Sequence, residues 1–152
     1  MSPATIATIG VTLLGVFALW RFGAWEERLV GAMVVALLGL VHVVEPFQIG
    51  TWRAGVAALE LTFLIAVWTL VYRRDRWWLT ALTGFQLISV LTHVTTLLAP
   101  HHFVWTAVTV RLGVWLLICV TFFAGAWEAW ADRRFAREGQ NHEPLQTQPV
   151  DI

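Results

Sequence analysis

The chain has 152 residues, 58% of them hydrophobic and only 13% charged, with ten basic residues against ten acidic ones. Soluble domains carry about 45–50% apolar and about 25% charged residues, so a soluble enzyme, a nucleic-acid binder and a disordered chain all fit poorly. With a single cysteine the chain cannot be an intrachain disulfide scaffold either, and the composition points to a small all-α integral membrane protein.

A membrane-crossing helix needs about 20 mostly apolar residues. Five stretches meet this in chain order: 3–20, 29–47, 54–72, 77–99 and 103–130. None alternates with a period of two, which argues against β-barrel strands. The first stretch lacks a basic n-region and runs into Trp20-Arg21 without a cleavage-like site, so it reads as a retained span. Charges or prolines end each stretch: Arg21 to Arg28, Pro46 with Arg53, Arg73 to Arg76, and Pro100-His101-His102. The connections are short, so consecutive helices are expected to be antiparallel neighbours in an up-down bundle. Residues 1–132 then form one five-helix domain. The polar residues 133–152 are expected to be a disordered tail, having too few apolar side chains to offset ordering entropy.

Every basic residue is Arg. Arg21, Arg28, Arg73, Arg74, Arg76, Arg133, Arg134 and Arg137 fall on one side of this plan, and Arg53 alone on the other. Basic residues are retained in the cytoplasm, so the expectation is N-terminus outside and C-terminus inside a bacterial cytoplasmic membrane. Trp20, Trp25, Trp77, Trp78, Trp127 and Trp130 sit at the inner boundary, and Trp52 and Trp105 at the outer one. Tryptophan favours that interface because its ring is apolar and its N–H is wet.

Ionisable groups inside a membrane are costly and usually face a cavity or one another. His42, Glu60, His93 and Arg111 lie on the second to fifth spans. Counted at about 1.5 Å per residue, all four fall in the outer half, roughly 7–12 Å below its edge. Thr83, Gln86, Ser89, His93 and Thr96 share one face of the fourth span, and Thr5, Thr8 and Thr12 form a small seam on the first. The sequence therefore predicts a buried polar cluster or ligand pocket of His42, Glu60, His93, Arg111 and Gln86, with Glu60 and Arg111 paired. Two uses remain open. One is a binding or accessory protein with an outward-facing polar pocket and no cofactor. The other is a redox subunit holding one haem b through His42 and His93. A metal site of His42, His93 and Glu60, with His101 or His102, is admissible chemically, but Arg111 at the same depth opposes a cation. A proton path would lack acidic or histidine groups in the inner half. Cys119 has no polar neighbour on its own helix and reads as a packed residue. No catalytic motif is present. The partners expected are the bilayer, and either another membrane protein or further copies of the chain.

In gross plan, five helices and many Trp in about 150 residues, the chain resembles the tryptophan-rich sensory protein/translocator family. LLAPHHFVWTAVTV is similar to that family's Pro-then-Trp helix start. The resemblance implies porphyrin or sterol binding. The family's Trp-x-Pro-Pro loop and Gln-Leu-x-Leu-Asn helix are absent, since Gln86-Leu87 is followed by Ile88-Ser89. No residue role carries over.

Overall fold

The computed structural model describes residues 3–50, 52–98 and 104–142. Five α-helices account for most of them: α1 (Pro3–Phe22), α2 (Trp25–Val44), α3 (Ala54–Arg73), α4 (Trp77–Leu98) and α5 (Val104–His142).

Helix boundaries follow local chemistry. α2 begins at Trp25, four residues before the apolar stretch, because Glu26 and Glu27 suit a first turn. The Glu27 carboxylate accepts the Ala24 backbone N–H at 2.8 Å. α2 ends at Val44, just ahead of Pro46. In the following connection, Ile49 and Trp52 exchange backbone hydrogen bonds of 2.9 and 3.1 Å. Gly50 sits there at φ +62°, a conformation that glycine adopts without a Cβ clash.

α5 departs most from the sequence expectation. Its helix passes Trp130 without a break and continues to His142, a length of roughly 58 Å. Residues 132–138 contain no proline, and Arg134 pairs with Glu138 one turn on at 3.0 Å. The first ten residues of the expected tail are therefore helical. The remainder, 143–152, lies outside the described residues.

The principal helix contacts join α1 to α2, α2 to α3, α3 to α4, α4 to α5, and α5 back to α1. The helices thus close into a ring. α1 and α5 run parallel: Thr12 meets Trp115, Gly15 lies against Phe122, and the Phe22 carbonyl accepts from Arg133. The apolar core fills the half of the ring near the α3–α4 connection. Leu19, Val30, Val34, Val67, Leu82 and Phe122 are all buried there. Trp78 is fully buried and packs over Gly125, with ring atoms 2.7–2.8 Å from where a Cβ would sit. Ion pairs close this end. Arg76 donates to Glu128 at 3.0 Å and also to Asp132, while Arg74 pairs with Glu26 at 2.8 Å. The hydrogen bond that Arg76 donates to Glu128, helped by the one to Asp132, raises the Arg76 pKa above its already high ordinary value.

The outer surface is apolar on every helix. Leu13 and Leu14, Val35 and Leu40, Leu61 and Ile65, Leu87 and Leu91, and Leu116 and Val120 are all exposed. Exposed apolar surface on this scale marks contact with lipid or another apolar phase. Among the described residues, three helices, α2, α3 and α5, are long and apolar enough to cross a membrane, and α1 adds a shorter apolar segment, Ile6–Phe22. α4 has 22 residues and an exposed apolar face, but Thr83, Gln86, Ser89, Thr92 and His93 are buried on its other side. Of the five expected spans, three helices among the described residues could therefore cross a membrane, and α1 supplies a shorter apolar segment.

Candidate functional site: a polar cavity inside the helix ring

Glu60 is the hub. It lies on the inner face of α3 and is mostly buried, its side chain 12% exposed. Arg111 reaches from α5 and donates from Nη2 to Glu60 Oε1 at 2.6 Å. Ser89 on α4 donates from Oγ to Glu60 Oε2 at 2.7 Å. His93 Nε2, one turn further along α4, lies 3.4 Å from Glu60 Oε1. Gln86 Nε2 donates to the Glu60 backbone carbonyl at 3.3 Å. One carboxylate thereby links three helices, each of its oxygens held by a donor. Such charge-assisted bonds are short and about twice as strong as neutral ones. They compensate for removing the carboxylate from water, which would otherwise be prohibitive in the middle of a bundle.

The faces that deliver these groups follow from helical spacing. Gln86, Ser89 and His93 are three and four residues apart, so they stack on one side of α4. Of the five residues that the sequence singled out, the structure brings together Glu60, Arg111, His93 and Gln86. His42 is placed elsewhere: it is exposed on α2 and is not among the groups bonded to Glu60. A haem with two histidine ligands needs both imidazoles to face one space. The buried His93 beside Glu60 and the exposed His42 do not fit that arrangement. Among the described residues, no group of three or more His, Cys, Asp or Glu side chains is placed to hold a metal ion. His101 and His102 lie outside the described residues.

A second polar knot, not evident from the sequence, joins α1 to α5. Thr12 on α1 donates to its own Thr8 carbonyl at 2.8 Å and accepts the Trp115 indole N–H at 3.0 Å. Its Oγ1 also lies 3.5 Å from Cys119 Sγ. The threonine seam on α1 is visible in the sequence, but the register that sets it against Trp115 of α5 is not. Cys119, without a polar neighbour on its own helix, finds one across the interface.

The two knots flank a cavity of about 540 Å³ in the half of the ring opposite the apolar core. All five helices contribute to its wall. Thr8, Thr12, Trp115, Ser89, Glu60 and Arg111 supply polar atoms, and Leu38, Val41, Val108 and Leu112 supply apolar surface. Arg53, at the N-terminal end of α3, reaches the same space and pairs with Glu45. His93 and Gln86 stand behind the wall and support it from α4 without lining the cavity. The volume falls within the range of about 300–1,000 Å³ usual for small-molecule sites. A mixed lining with a few convergent polar groups suits an amphipathic molecule and shows no nucleophile paired with a free base. Compared with known proteins, the chain matches no family model, no curated protein and no solved structure. The likeness to the translocator family consequently stays at helix number and tryptophan content and lends no residue roles.

Proposed function

We propose that the chain is a five-span protein of a bacterial cytoplasmic membrane, N-terminus outside and C-terminus inside, that binds a small amphipathic molecule and is not an enzyme. The observation that carries this reading is the 540 Å³ cavity walled by all five helices, with the Glu60–Arg111 pair set into its side. A purely structural ion pair would be better served by packing the space around it, as the opposite half of the ring is packed. α4 belongs to the membrane set because its exposed face, including Leu87, Ile88 and Leu91, is as apolar as those of its neighbours. The eight-to-one arginine bias supports this orientation. In that orientation the cavity lies in the outer half.

Native mass spectrometry of the full chain in mild detergent tests the reading. We expect a bound mass smaller than a phospholipid in the wild type. Val41→Trp, which fills the cavity from α2, should lose it while keeping the helical circular dichroism spectrum. A wild type with no such mass, or a mass retained in Val41→Trp, overturns the proposal.

A further inference from the structure

A second cleft lies at the other end of the bundle, where the C-terminal end of α1 meets the extension of α5. Its volume is about 600 Å³. Arg21, Arg133, Arg134 and Arg137 line it against a single carboxylate, Glu138, an excess of three positive charges. Two of the arginines are partly committed. Arg133 donates to the Ala129 carbonyl at 3.1 Å and to the Phe22 carbonyl, which it caps. Arg134 pairs with Glu138 at 3.0 Å and stacks over Trp130, 5.6 Å from the ring centre. Arg21 stacks over Phe22 at 5.4 Å, and Arg137 is exposed. Phe22 and Trp130 complete the cleft wall.

The same two aromatic residues also wall a neighbouring groove of about 510 Å³. Its remaining lining, Ala18, Phe123, Ala126 and Trp127, carries no charge. The arginine cleft therefore continues directly into an apolar groove along α1 and α5. Phe22 and Trp130 form the junction, with Trp127 one turn back along the groove, and tryptophan anchors helices to the membrane interface. Arg133, Arg134 and Arg137 follow within two turns, at headgroup height.

We propose that this composite site binds one anionic phospholipid. The phosphate lies among Arg21, Arg134 and Arg137, and an acyl chain lies along Phe123 and Trp127. Guanidinium groups match phosphate geometry, and basic pockets beside membrane helices select anionic headgroups. The excess positive charge favours a headgroup with net negative charge over a zwitterionic one. The adjoining groove favours a lipid over a free phosphate, which would have no use for it. The inference rests on the membrane placement proposed above but not on the cavity beside Glu60.

The test is native mass spectrometry of the full chain in detergent, titrated with phosphatidylglycerol, phosphatidylcholine and inorganic phosphate. We expect a one-to-one phosphatidylglycerol complex. Phosphatidylcholine should bind at least about tenfold more weakly, as the loss of two arginine contacts would predict. Inorganic phosphate should not compete. Arg21→Gln with Arg137→Gln should weaken phosphatidylglycerol by about fivefold per arginine removed. Should the double variant fail to fold, Arg137→Gln alone at an exposed position carries the same prediction for one arginine. Equal binding of the two lipids, or an unchanged affinity in the folded variant, overturns the proposal. Displacement by inorganic phosphate assigns the cleft to a soluble anion and overturns it as well. The mass distinguishes this site from the cavity ligand, and loss of either bound species leaves the other proposal standing.

Discussion

At the residue scale, the energetics centre on Glu60. Its carboxylate receives Arg111 and Ser89, with His93 Nε2 3.4 Å away, and its backbone carbonyl receives Gln86. Removing one partner of a buried pair costs more than the pair itself contributes, because the remaining charge stays buried without compensation. Glu60 is well buried, whereas about a third of the Arg111 side chain is exposed. Solvent therefore softens the loss. Arg111→Leu is expected to destabilise the protein by about 2–3 kcal/mol, below the range for a fully buried pair. Glu60→Gln in that background removes the stranded charge while an amide can still accept from Ser89. It should recover about 1 kcal/mol or more. Unfolding of the single and double variants in mixed detergent micelles measures the coupling. Strictly additive losses would show that the two residues do not act as a pair.

At the element scale, α4 is two-faced, and its inner side changes character along its length. Near its N-terminus, Trp78, Leu79 and Leu82 pack into the core. Further along, Gln86, Ser89 and His93 turn toward Glu60. The three- and four-residue spacing made this face legible in the sequence, and with it the link between Glu60 and α4. His42 shows where such reading stops. It steps by three with Gly39 and Glu45, but only the rotation of α2 within the ring decides that this face is exposed. Thr12 shows the same limit in reverse. Its bond to Trp115 depends on the relative register of α1 and α5, which no periodicity within either helix fixes. Gly125 is a further case, an unremarkable small residue in sequence that proves to be the seat of Trp78. A Cβ at that position would lie 2.7–2.8 Å from indole carbons, and Trp78 is fully buried and cannot swing into solvent. Gly125→Ala should therefore destabilise the protein by about 1–3 kcal/mol, the range for overpacking a filled core. Gly84→Ala on the exposed face of α4 meets nothing within 4 Å and serves as the control. Equal melting temperatures for the two variants would show that the α4–α5 contact is not tight at this point.

At the scale of the whole molecule, the ring divides into two functional halves. One half is packed solid with apolar side chains and sealed by ion pairs around Arg76. The other holds the polar cavity and the Glu60 and Thr12 knots. A net charge of zero conceals this polarity. Resolved along the chain, eight arginines cluster at the packed end and along the α5 extension, one stands at the cavity end, and Arg111 is spent inside. Basic residues are held back from translocation, so the packed end should face the cytoplasm. Asp75 and Gln48 are exposed in the connections at opposite ends, and Cys119, the sole native cysteine, is buried. Asp75→Cys in intact cells should resist a membrane-impermeant maleimide and react only after permeabilisation. Gln48→Cys should react in intact cells. Reversed labelling would place the cavity on the cytoplasmic side and invert the orientation inferred from the arginines. Labelling of both positions in intact cells would mean that the segment between them does not cross the membrane.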